Sequence, residues 1–115
     1  MQRRAKYNAH PVDADGYHFD SLAEERRYRE LRLLERNGDI EDLKVHPRFE
    51  IMPALNIKGK HYRPTFYEGD FAYTENGVDV VEDVKGVQTD VFKLKWKMMW
   101  MRYPLLDLRI VLVNP

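Results

Sequence analysis

The chain has no cysteine. That absence excludes a disulfide framework, a thiol nucleophile and the thiolate-based structural zinc sites. It has no net charge either, since 19 Lys and Arg balance 19 Asp and Glu. Overall charge therefore leaves no nucleic-acid footprint and no acidic tail. Long apolar runs are also missing. The longest, such as Met98-Met99-Trp100-Met101, fall far short of the ~20 residues that span a bilayer. No membrane association is expected. Met1-Gln2-Arg3-Arg4 leads into no apolar stretch, so no secretion signal is expected, and the expected location is the cytoplasm. What is present is a chain of 115 residues, 43% hydrophobic and 12% aromatic. That suffices for one packed domain and not for two.

The charge balance conceals local bias. Residues 1–10 carry Arg3, Arg4 and Lys6 without an acid, and Lys85, Lys93, Lys95, Lys97 and Arg102 face only Asp90 across 85–102. Asp13, Asp15, Asp20, Glu24 and Glu25 crowd 13–25. Such segments can form a polyanion-binding face beside a carboxylate cluster, or ordinary solvated surface. Residues 1–18, with Pro11 and Gly16, read as an irregular basic arm, and 19–115 as a single domain.

Asp20-Ser21 opens a helix expected over 22–37, with the capping pattern Ser21-Leu22-Ala23-Glu24 and Gly38 beyond its end. Its inward stripe is Glu24, Tyr28, Leu31 and Glu35. From Leu43 to Ile51 the period is two, which predicts a half-buried strand, bulged or at a sheet edge because of Pro47. Lys58-Gly59-Lys60 is a turn. Strands are predicted over 65–74 and 78–85, joined at Asn76-Gly77, a strong hairpin signal. A second helix follows from Thr89 or Asp90 to Tyr103-Pro104, with Val91, Leu94, Met98 and Met101 as its core stripe. A last strand over 106–113 is apolar on both faces and is expected in the sheet interior. The order helix, three strands, helix, strand predicts a mixed sheet flanked by helices.

The hairpin makes a specific chemical statement. A two-residue turn at Asn76-Gly77 puts Glu75 opposite Val78, Asp70 opposite Asp83 and Glu68 opposite Lys85. Opposed aspartates repel, and a divalent cation between them removes the penalty. Oxygen-only ligands suit Mg²⁺ or Mn²⁺ better than zinc. Lys85 shares Asp83's face and can reach a scissile phosphate, or can simply pair with Glu68 on a solvated surface. Glu82 points to the other face, as a structural or peripheral residue. A register slip of one residue removes the coincidence.

An Asp, a later acid-X-Lys at a strand end and a preceding helical Glu resemble the PD-(D/E)XK nuclease superfamily. Here these are Asp70 in Tyr67-Glu68-Gly69-Asp70-Phe71, Asp83-Val84-Lys85 and Glu24. The element order over about residues 20–113 is similar to that superfamily's restriction-endonuclease-like αβββαβ core, an α/β (α+β) fold. Phe19-Asp20-Ser21, Glu24, Tyr28, Val81-Glu82-Asp83-Val84-Lys85-Gly86 and Tyr103-Pro104 further resemble small phage and prophage members, related to phage Holliday junction resolvases. Gly69 stands where the superfamily name has Pro, and Asp83 where Glu is more frequent. The second departure leaves Glu82 and Asp83 both open as metal ligand, with strand parity favouring Asp83.

The resemblance implies Mg²⁺-dependent DNA hydrolysis, with Mn²⁺ as substitute. Asp70, Asp83 and the Val84 carbonyl would hold the ion. Lys85 would position the attacking water and offset developing negative charge. Glu24 would bind a second metal or water, or serve as the acid of its capping box. Candidate DNA contacts are Arg3, Arg4, Lys6, Gln88, Thr89, Lys93 and Lys97, although Thr89 also suits an N-cap and the lysines a solvated helix face. Trp96 and Trp100 fit a core or a homodimer face. His10, His18, His46 and His61 receive no catalytic task. The expected function is cleavage of branched DNA. Rival readings are a sequence- or damage-directed endonuclease, an inactive DNA-binding module of the same fold, and a protein-interaction module.

Overall fold

A computed structural model describes residues 10–113. Strands β1 (Val12–Ala14) and β2 (Tyr17–Phe19) form a small hairpin. Its turn is Asp15-Gly16, with φ of 53° and 82°. This corrects the irregular segment expected over 1–18 from Val12 onward, while residues 1–9 of it lie outside the described residues: an Asp-Gly pair between short strands is itself a hairpin signal. Phe19 is fully buried, and Val12 and Ala14 pack beside it.

Helix α1 (Leu22–Arg36) begins where Ser21, in extended conformation, accepts a hydrogen bond from the Glu24 amide at 3.1 Å. The expected stripe buries Glu24, Tyr28 and Leu31. Asn37 caps the other end, and Gly38 takes a φ of 81°, which costs glycine least.

The remaining elements are β3 (Glu41–Val45), β4 (Arg48–Met52), β5 (Leu55–Ile57), β6 (Lys60–Tyr62), β7 (Thr65–Glu68), β8 (Phe71–Glu75), β9 (Val78–Lys85), α2 (Asp90–Arg102) and β10 (Asp107–Leu112). The central sheet has the order β10-β9-β8-β3. β10 runs parallel to β9 and the other pairs are antiparallel, so the fold is α+β, with a mixed sheet and two helices among the described residues. Phe71, Tyr73 and Val80 pack against Tyr28 and Leu31 of α1. Val81 and Leu108 pack against Phe92 and Met99 of α2 on the opposite face. Strand alternation thus sorts the sheet between two apolar layers, each large buried side chain contributing about 1.5–3 kcal/mol.

Two expected strands are broken in the middle. The first splits into β3 and β4 at His46-Pro47, and the second into β7 and β8 at Gly69-Asp70. Val45 opposes Phe71 and Arg48 opposes Glu68, so both halves keep one register and form a single ribbon bent at that point. Gly69 donates its amide to the Pro47 carbonyl at 2.9 Å, and a Cβ there would lie 3.0 Å from a Val81 methyl carbon. The close approach of this backbone to β9 therefore favours glycine, since any larger residue would have to push the Val81 side chain aside.

Two further expectations are corrected. The buried stripe of α2 is Phe92 and Met99, with Trp96 and Tyr103 half-buried beside them, at spacings of four, three and four. Val91, Leu94 and Met101 face outward, and Met98 is half-buried. The bulkier aromatic stripe wins the core because it buries more apolar area. β10 lies at the sheet edge rather than inside it. Its two-faced apolarity reflects layers above and below the sheet, not strands on either side. No helix among the described residues is long and apolar enough to cross a membrane.

Candidate active site

The Asn76-Gly77 turn has φ of 52° and 78°, and the β8–β9 ladder runs from Glu75 opposite Val78 to Phe71 opposite Glu82. The expected register holds to that pair. Asp70 is one residue beyond it, in the bend, and its amide still donates to the Glu82 carbonyl at 3.0 Å. The Asp70 carboxylate turns to β9, where Oδ2 accepts from the Val84 amide at 2.6 Å. Burial, the Asp83 carboxylate and then that of Glu24 push the Asp70 carboxyl up to about 9, against the Val84 N–H and the Lys85 ammonium. Asp83, Glu24 and Lys85 therefore all bear on the Asp70 carboxyl.

Asp83 is buried on the α2 face of the sheet. Its Oδ2 accepts from the Tyr67 hydroxyl, whose own acidity is suppressed by burial and then by the Asp83 charge. Its Oδ1 is buried and has no hydrogen-bond partner. The Lys85 ammonium stands 3.2 Å from that oxygen, close enough for an ion pair but outside hydrogen-bond alignment. The same ammonium lies 4.4 Å from the centre of the Phe92 ring. An unpartnered buried carboxylate oxygen is costly, and a neighbouring cation is the usual remedy.

Glu24 has its backbone at the helix cap and its carboxylate on His46. Its amide completes the N-terminal cap, while its buried carboxylate approaches the cluster. Burial raises the Glu24 carboxyl, and His46, with Nε2 2.9 Å from Oε1, opposes the rise. The His46 amide donates to the Asp70 carbonyl at 2.9 Å. His46 thus lies opposite Asp70 on β3's continuation, a placement invisible without the pairing of strands distant in sequence. Tyr67 has no assigned role in the sequence for a similar reason: its contact with Asp83 joins residues 16 positions apart.

Glu82 is structural, as its parity implied. Fully buried on the α1 face, it accepts from Arg27 Nε and Nη2 at 2.8 and 2.7 Å and from the Tyr73 hydroxyl. Glu68 corrects the sequence reading: it opposes Arg48 on β4, not Lys85, because the ribbon leaves β9 at the bend. Gln88, Thr89, Lys93 and Lys97 lie exposed beyond Lys85. Thr89 is the N-cap of α2, accepting from the Phe92 amide at 3.1 Å. Val84 meets the cluster through its N–H. Arg3, Arg4 and Lys6 lie outside the described residues.

Among the described residues no three His, Cys, Asp or Glu side chains converge as a ready-made metal cage. Mg²⁺ rarely uses one. It binds through one or two carboxylates and completes its shell with water and substrate phosphate. Asp70 and Asp83 offer carboxylate oxygens, the donor type that ion takes, and Asp83 Oδ1 carries no hydrogen bond.

An α+β domain with a buried carboxylate–lysine cluster at a sheet end is thus what the chain folds into. Residues 4–114 match the family described as "Protein of unknown function (DUF1064)", and the chain belongs to that family. No curated protein matches it.

Proposed function

We propose that the chain is a Mg²⁺-dependent DNA endonuclease with a restriction-endonuclease-like core, selective for branched DNA, and that Mn²⁺ substitutes for Mg²⁺. The observation that carries this reading is the buried Asp83 Oδ1, which has no hydrogen bond and stands 3.2 Å from the Lys85 ammonium. The succession α1, β3, β8, β9, α2, β10 agrees with it.

Asp70 and Asp83 would hold the ion, with the Val84 carbonyl and Glu24 as further donors. When bound, Mg²⁺ supplies positive charge that polarises the scissile phosphate. Tyr67 fixes the rotation of the Asp83 carboxylate, and His46 that of Glu24. Lys85 positions the attacking water and offsets charge that grows on the phosphoryl oxygens. The small domain leaves little room for a base-reading element, which favours recognition by shape and backbone. A second copy of the chain is the expected partner, because a two-fold dimer suits a two-fold branched substrate. The outward apolar side of α2, with Val91, Leu94 and Met101 exposed, is the surface offered to it.

The test is cleavage in Mg²⁺ of a four-way junction, a flap, a linear duplex and a single strand. Preference for the junction or flap supports the reading. Equal cutting of linear duplex favours a sequence- or damage-directed enzyme, and binding without cutting favours an inactive DNA-binding module.

A further inference from the structure

Residues 53–64 form an arm unlike the rest of the molecule. Leu55 pairs with Tyr62, Asn56 with His61 and Ile57 with Lys60, and all six strand residues are exposed. The radius of gyration is 15.8 Å and the longest extent 52 Å, against about 13 Å expected for a compact chain of this size. A two-stranded ribbon is marginal without something to lie against.

The arm continues the bent ribbon that carries the candidate site. Met52 opposes Thr65, and β5–β6 follows in the same register, which sets Pro53 opposite Pro64. Two prolines without amide donors interrupt the ladder there and separate the arm from its base. The base is fixed, since Lys95 donates to the Phe66 carbonyl at 3.1 Å and Arg48 stacks 4.3 Å from the Phe66 ring centre.

The arm's charge is one-sided. From Glu50 to Glu68 no acid intervenes, while Lys58, Lys60, His61 and Arg63 are present. Lys58 occupies the turn with a φ of 50°, followed by Gly59 at 76°. Asn or Gly is the easier residue at that first position. A strained lysine at a solvent-exposed tip points to use rather than folding convenience. Alternation puts Lys60 on the face of Leu55, Ile57 and Tyr62, and Arg63 on the parity of Asn56 and His61. Cations therefore occupy both faces and the tip. A flat partner needs them on one face, whereas a nucleic-acid groove has phosphate walls on both sides and its major groove admits a two-stranded ribbon.

We propose that the β5–β6 arm is a DNA-gripping ribbon that enters a duplex groove, with Lys58, Lys60 and Arg63 on its phosphates. This rests on the reading of the chain as DNA-acting. Along the ribbon, Gly59 is eleven residue steps from Asp70. At roughly 3.3 Å each they reach at most about 36 Å, close to one turn of duplex at roughly 34–36 Å. The arm would thus hold DNA up to one turn from the phosphate at the carboxylates.

The test is fluorescence anisotropy of the full chain with a labelled linear duplex of about three helical turns, without Mg²⁺, across a salt series. The variant K58A/K60A/R63A should bind roughly tenfold or more weakly at about 100 mM salt, and its log–log salt slope should fall by about 3. K58N keeps the turn, or improves it, so its melting temperature should hold or rise while the slope falls by about 1. Unchanged affinity and slope in both variants would overturn the proposal. So would unchanged DNA binding with a change in sedimentation, which would make the arm a contact for a second copy. Wild-type binding through the arm without Mg²⁺-dependent cutting upholds the arm and rejects the nuclease reading. Cutting with arm-independent binding does the reverse.

Discussion

The Tyr67 hydroxyl donates to Oδ2 of Asp83, and Oδ1 of that carboxylate has no hydrogen bond. One side chain thus fixes the rotation of another and leaves its second oxygen 3.2 Å from the Lys85 ammonium. Tyr67→Phe keeps the ring, which packs edge-on against Trp96 at 5.8 Å. The fold should survive with a loss of about 1–3 kcal/mol. Affinity for Mn²⁺ measured by calorimetry should fall about 10–100-fold. Unchanged affinity would mean that the hydroxyl does not orient the ligand.

Asp70 makes stability depend on pH in a definite direction. Its carboxyl is raised from 3.8 to about 9 in the fold, so the folded state holds the proton more tightly than the unfolded chain. The resulting stability is fully present below about pH 4 and is lost as pH rises through about 9. Metal-free protein should therefore melt lower at pH 8 than at pH 5. Asp70→Asn should remove much of that slope and be more stable at pH 8 by about 2–4 kcal/mol. Mn²⁺ should restore the wild-type melting temperature at pH 8 and leave the variant unmoved. Thermal melts with and without Mn²⁺ measure all of this, and a variant with the wild-type slope would contradict it.

Lys85→Ala should cut DNA about 10²–10³-fold more slowly, the cost of removing one charge stabiliser. It should still bind Mn²⁺, since the ammonium donates no lone pair to a cation. Loss of Mn²⁺ binding in calorimetry would make Lys85 a structural partner of Asp83 instead.

Glu82→Gln separates the neighbouring acids. It breaks a buried pair with Arg27, whose remaining partner is Glu30 at 2.9 Å. Stability in urea should drop by about 3 kcal/mol, while the folded fraction keeps its Mn²⁺ affinity. Loss of Mn²⁺ binding at unchanged stability would exchange the roles of Glu82 and Asp83.

Much of this was legible in the sequence because it is local. The Ser21 cap, the Asn76-Gly77 turn and the alternation of β9 each depend on residues within a few positions, and together they put Asp83 and Lys85 on one face. What was not legible depends on distant pairing. His46 reaches Asp70 and Glu24 only through the β3–β8 register, and Glu68 leaves Lys85 because Pro47 and Gly69 bend the ribbon. The stripe of α2 was misassigned because apolar residues surround that helix, so periodicity could not choose a face. The arm was reduced to its turn because β5 and β6 are three residues each, too short for a periodic signal.

The central claim is that Asp70 and Asp83 share a cation that acts on a DNA phosphodiester. Its most direct test is a gel assay of a four-way junction with wild type and Asp83→Asn in Mg²⁺, with an EDTA control and parallel binding in Ca²⁺. The account predicts cutting by wild type that EDTA abolishes, and no cutting by Asp83→Asn despite binding as tight as wild type or tighter. Wild type that cuts with no divalent cation present, or Asp83→Asn that cuts at the wild-type rate, would contradict it.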